Sequence, residues 1–128
     1  MRLLLDTHAV LWFLRGDARL SAVARAAIES AESECLLSRA SLWEISIKQS
    51  LGKLKLAEPF EERLSSALLR NRIGDLPLER AHLFALARLP FHHRDPFDRL
   101  LVAVARIESL PLVSRDPCFE RYGIEIVW

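Results

Sequence analysis

Four acids in this 128-residue chain stand where short apolar runs stop or where helices begin: Asp6, Glu44, Asp98 and Asp116. Asp6 ends the run Leu3-Leu4-Leu5, and Asp116 follows Leu112-Val113-Ser114-Arg115, so strand, hydroxyl and acid come together twice. Two carboxylates ~4 Å apart repel by about 4 kcal/mol at an effective dielectric near 20. A cluster of them must therefore protonate, separate or take up a cation. Ligation by oxygen alone, without paired His or Cys, favours Mg²⁺ or Mn²⁺ over zinc. A cation so held activates water and steadies charge on a phosphoryl group.

Whether the four acids meet depends on the elements that carry them. Three consecutive leucines have no period-2 alternation, which marks a strand buried on both faces and hence a parallel α/β sheet. Ligands of such sheets gather at the carboxyl ends of the strands. Asp6 sits at that end, followed by a helix over Thr7–Leu14 with Thr7 as N-cap and Gly16 as its stop. Ser21 opens a second helix to Ser33, and Cys35–Ser38 is a second strand, parallel to the first. The next helix, Ser41–Leu51, carries Glu44, which also fits a Ser41-x-x-Glu44 capping box and an i, i+4 pair with Lys48. Lys53–Leu56 is a connector, Pro59–Arg70 a helix, Ile73–Leu76 a short strand and Glu79–Arg88 a helix.

Asp95 as N-cap and Pro96 at the first helical position start a buried helix that runs to Ser109 and leaves Asp98 in its first turn, where the helix dipole favours a carboxylate. Only Leu110 and Pro111 separate that helix from the strand Leu112–Ser114, so the two run antiparallel and the helix start returns to the edge that holds Asp6. Asp116 also suits the cap of the turn begun by Pro117, and Ile124–Trp128 is a last, edge strand. Each acid has a local explanation of its own. The four explanations are independent, yet the topology sends all four side chains to one edge.

Bulk composition sets the frame. The length suits a single domain over residues 1–128, large enough to bury about two-thirds of its unfolded surface. Eighteen Lys and Arg against 17 Asp and Glu leave a net charge of +1, so no global basic field announces nucleic acid, and any such contact needs local segregation of charge. Cys35 and Cys118 match no metal or redox spacing and are expected as free thiols in a reducing compartment. Asp6 interrupts the opening apolar run, and no stretch approaches the ~20 apolar residues of a membrane span, so a cytoplasmic protein without membrane association is expected. His8 lies beside Asp6 without a partner at ligand spacing and is read as a helix-start residue.

The motifs LLLDTHAVLW, SLWEISIK, HHRDPFDRLLVAVA and LVSRD, in that order along the whole chain, resemble those of the PIN-domain ribonucleases, specifically VapC-type toxins of toxin–antitoxin modules. The resemblance implies a three-layer α/β/α domain with a central parallel sheet in strand order 3-2-1-4-5, and metal-dependent hydrolysis of RNA with Mg²⁺ or Mn²⁺. It places the family acids on Asp6, Glu44, Asp98 and Asp116, with matching hydroxyls at Thr7 and Ser114. Asp95, in the RDPFDR form of the third motif, is a further ligand candidate. Asp98 is favoured, because the D-x-L-x-x-A pattern that follows the family's acid begins there. The resemblance also implies a cognate VapB-type antitoxin and a homodimer. Lys48, Arg94, Arg99 and Arg115 are candidates for phosphate contacts. Two other classes compete: a PIN-like module that only binds, and a phosphoacceptor receiver domain. The receiver expects an acidic pair after the first strand, an Asp near Ser38 and a later strand-end Lys, none of which this chain has.

Overall fold

The computed structural model describes residues 1–128. Five strands, β1 (Arg2–Leu5), β2 (Glu34–Ser38), β3 (Ile73–Leu76), β4 (Leu112–Val113) and β5 (Ile126–Val127), form one sheet. Its order is β3-β2-β1-β4-β5, and every pairing is parallel. β1 lies at the centre, with Leu4 opposite Leu36 on one side and Leu112 on the other. The ladder runs one residue past β1, since the Asp6 N–H donates to the Val113 carbonyl at 3.1 Å. That bond ties the first acid to the end of the sheet.

Six α-helices cover the two faces: α1 (Thr7–Arg15), α2 (Ala22–Glu29), α3 (Arg39–Ser50), α4 (Phe60–Arg70), α5 (Arg80–Ala87) and α6 (Pro96–Glu108). Side chains alternate along β1, and the core divides accordingly. Leu3 and Leu5 pack with Val10, Trp12, Ala24, Ile28 and Ile45 from the first three helices. Leu4 packs with Leu36, Leu112 and the α6 residues Leu101, Val102 and Val104. The unbroken apolar run of the sequence is thus explained, because helices bury both faces of the strand.

α6 is itself buried from Arg99 to Ala105, which is why its middle lacks a polar face. It begins as the sequence predicts, with Asp95 Oδ1 accepting the N–H groups of Phe97 at 2.8 Å and Asp98 at 3.1 Å, and Pro96 at the first helical position. It ends at Ser109, a non-glycine residue with φ of +54°, which turns the chain into β4 within two residues. Other boundaries shift. The helix expected from Ser21 to Ser33 stops at Glu29, because Ser33 instead uses its hydroxyl on the Ala27 carbonyl and the chain turns into β2. The last strand is only Ile126–Val127, paired in parallel at the edge beside β4.

Leu4 is fully buried at the centre of the sheet. Leu4→Ala should cost about 2–5 kcal/mol of unfolding free energy in urea. A loss well under 1 kcal/mol would mean that the core can collapse around the space, contrary to the packing described.

Candidate active site

Asp6 caps α1: its Oδ1 accepts the Ala9 N–H at 2.7 Å. Thr7, expected as that cap, is the first helical residue instead, and its hydroxyl is free for another use. It donates to Glu44 Oε1 at 2.7 Å, across 37 residues of sequence. Glu44 Oε2 accepts from Lys48 Nζ at 2.6 Å, so the i, i+4 pair forms. The capping box does not. Ser38 is the cap of α3, accepting the Ala40 N–H at 3.0 Å, which starts the helix earlier and leaves Ser41 buried in the first turn. Glu44 therefore lies too far along α3 to cap it, and it is buried with only Thr7 and Lys48 as partners.

Asp116 caps a 3₁₀ turn over Pro117–Tyr122, its Oδ1 accepting the Cys118 N–H at 2.9 Å. Its Oδ2 meets His93 Nε2 at 2.8 Å. Ser114, buried at the end of β4, accepts the Asp116 N–H on its hydroxyl oxygen at 3.1 Å. Asp98, half-buried in the first turn of α6, has its backbone N–H bound to Asp95.

The charges of these groups act on one another. Burial pushes the Asp98 carboxyl up to about 6, and the negative charges of Asp95, Glu44 and Asp116 push the same way, against His93. Burial likewise raises Asp6, helped by Glu44 and opposed by the Ser114 hydroxyl, the Ala9 N–H and His8. Glu44 thus acts on both Asp6 and Asp98, and Asp116 acts on Asp98. They do not touch. The one set of three or more His, Cys, Asp or Glu residues whose ligand atoms all lie within 4.8 Å of one another is His93, Asp116 and Cys118. The oxygen-only donor set and its excess negative charge fit a hard divalent cation that keeps part of its water shell. Lys48, on Glu44, is the one ammonium bound among them.

The expected basic residues divide. Arg99 is not free for phosphate, which corrects the expectation from sequence. Its guanidinium is buried and donates to the carbonyls of Pro90, Leu86 and Leu89 at 3.0, 3.2 and 3.4 Å, with the Phe91 ring 3.8 Å away. It closes the carboxyl end of α5, a task suited to the planar fork of arginine. Arg94 and Arg115 are exposed next to Asp95 and Asp116. His8 is exposed against Trp12. Sequence reasoning missed His93 and Tyr122. The double histidine at 92–93 is visible, but no local spacing links it to residues 116 and 122.

A carboxyl with a raised folded pKa adds stability below its unfolded pKa, near 4, and loses it as pH rises through about 6. Cation-free protein should therefore melt lower at pH 8 than at pH 5, and Asp98→Asn should raise the melting temperature at pH 8 and flatten that dependence. Thermal melts with chelator present would check this; a variant that melts lower than wild type at pH 8 would contradict the electrostatic description.

Three comparisons bear on this arrangement. No curated protein sequence matches the chain. In structure it is similar to a chain of VapBC2 from Rickettsia felis, solved bound to a DNA fragment from their promoter. The TM-score is 0.74 at 16% identity, over 98% of this chain and 97% of that one. It is also similar to FitAcB from Neisseria gonorrhoeae, with a TM-score of 0.65 at 20% identity, over 97% and 95% of the two chains. Likeness at such identity concerns the fold. The family model of the PIN domain matches residues 3–125, nearly the whole length. The chain belongs to the PIN-domain family, whose members are generally nucleases.

Proposed function

We propose that residues 1–128 act as one domain, a metal-dependent endoribonuclease of the VapC toxin type that hydrolyses RNA phosphodiester bonds and is held inactive by a cognate VapB-type antitoxin. The observation that carries this reading is a set of mutually repelling carboxylates at the carboxyl edge of a parallel sheet in a PIN-domain chain. Asp6, Asp98 and Asp116 are the proposed ligands of Mg²⁺ or Mn²⁺, with Glu44 as a further ligand or as the group that orients the attacking water. Asp95, whose side chain caps α6, is left as a weaker candidate. A divalent cation held there supplies Lewis acidity toward the phosphodiester and its water.

The chain's own residues supply the rest. Thr7 and Ser114 aim hydroxyls at the acids and keep them oriented. Arg94 and Arg115 are exposed at the rim and suited to backbone phosphates, where they would position the strand without reading its bases. Lys48 belongs to the same proposal, with its ammonium shared between Glu44 and substrate. Likeness of fold to the VapBC2 and FitAcB complexes supports an antitoxin partner. The exposed aromatic residues Trp43, Phe84 and Phe91 offer apolar surface to a protein partner, whether antitoxin or second copy.

Antitoxin-free protein should cut end-labelled structured RNA with Mg²⁺ or Mn²⁺ and not with chelator. Asp6→Asn should abolish cutting while the circular dichroism spectrum stays unchanged, since Asn also serves as an N-cap. Cutting by a clean Asp6→Asn preparation would overturn the site. Folded wild-type protein that cuts nothing in total cellular RNA would favour a PIN-like binding module.

A further inference from the structure

His93 is held from four sides. Tyr122 Oη accepts the backbone N–H groups of His92 at 3.1 Å and His93 at 2.9 Å. With its lone pairs so engaged, the phenol has its proton left to offer, and His93 Nδ1 lies 3.3 Å away. Nδ1 is therefore the acceptor, and the ring proton sits on Nε2, which donates to Asp116 Oδ2 at 2.8 Å. The imidazole is stacked on Tyr122 with 13° between planes, and Phe119 packs on it at 4.6 Å between ring centroids. Its side chain is 9% exposed.

Asp116 is correspondingly fixed. One oxygen takes the Cys118 N–H and the other takes His93, so the carboxylate cannot rotate without losing a bond. The same tautomer argues against a softer metal on His93, Asp116 and Cys118. Ligation through Nε2 would move the proton to Nδ1, against an oxygen that already accepts two N–H groups.

We infer that His93 is a positioning residue for Asp116: its Nε2–H sets the rotation of that carboxylate, so that Asp116 presents an oriented oxygen lone pair to a divalent cation. The inference rests on the metal-site proposal above. It assigns a task to the histidine that precedes the RDPFD segment, a task neither its sequence position nor its burial explains. A histidine kept only for packing needs no donor aimed at an acid. Outer partners of this kind typically change metal affinity by about 10–100-fold when removed.

The test is Mn²⁺ binding to substrate-free protein, read by electron paramagnetic resonance of the free ion, with thermal melts alongside. His93→Phe keeps a ring between Phe119 and Tyr122 but removes the donor, and should weaken binding about 10–100-fold. His93→Gln carries an amide N–H that reaches the Nε2 position and should recover most of the loss. Asp6→Asn serves as the reference for the site itself and should abolish binding. Wild-type affinity in His93→Phe, with Asp6→Asn still defective, would overturn the positioning role and leave the metal site standing. Equal weakness of the Gln and Phe variants would overturn the donor role too. Folded wild-type protein that binds no Mn²⁺ would remove both proposals together. Nitrogen-15 NMR of the wild-type imidazole gives a check independent of any variant: protonation of Nδ1 in place of Nε2 would overturn the inference.

Discussion

Like charges gathered at the end of a buried sheet repel, and the rest of the chain is arranged to keep them there. β1 delivers Asp6, because its ladder to β4 continues through the Asp6 N–H. α3 delivers Glu44, α6 delivers Asp98, and the turn after β4 delivers Asp116. Asp6 and Asp116 each accept a backbone N–H as an N-cap, and Glu44 and Asp116 each accept a side-chain donor. At Asp6 the Ala9 N–H and the Ser114 hydroxyl work against the burial that raises its carboxyl, whereas Asp98 has no such bond to offset its own burial. Without the caps and hydroxyls, the cheapest response to the repulsion would be for side chains to rotate out into water. Those fixed donors make the conflict persist.

The two half-buried or buried histidines that meet acids follow one plan. His82 Nδ1 accepts the Glu79 N–H at 2.9 Å, which leaves Nε2–H to meet Glu108 Oε1 at 2.8 Å and join α5 to α6. His93 does the same with Tyr122 and Asp116. In each ring one nitrogen is satisfied locally so that the other becomes a directed donor across a distance of more than 20 residues. At the first site the consequence is the packing of two helices. At the second it is the orientation of an acid.

Much of this was legible in the residues and some was not. The unbroken Leu3–Leu5 run announced a central parallel strand, and the Asp95-Pro96 start and the short Leu110-Pro111 link announced the direction of α6. Helix starts misled where two residues able to cap competed. Ser38 rather than Ser41 caps α3, and Asp6 rather than Thr7 caps α1, since a cap is decided by where the strand ends and not by side-chain type alone. Those shifts matter, because they free Thr7 for Glu44 and remove the local explanation of Glu44 as half of a capping box. Arg99 could not be distinguished from Arg94 by sequence. Both flank acids, and only the packing of α5 on α6 buries one of them. His93 and Tyr122 stayed invisible because their bonds span 23 and 29 residues with no periodic signal.

The stretch from Leu89 to Asp95 has no regular secondary structure, and loops of that kind ordinarily absorb insertions and drift. This one is clamped at both ends by side chains. Arg99 takes the carbonyls of Leu89 and Pro90, and Tyr122 takes the N–H groups of His92 and His93. A residue inserted between the clamps would have to break one of them, and either break reaches the acids: through the start of α6 in one case, through Asp116 in the other. The segment is a loop by geometry and a strut by mechanics. Its length is therefore a fixed dimension of the molecule.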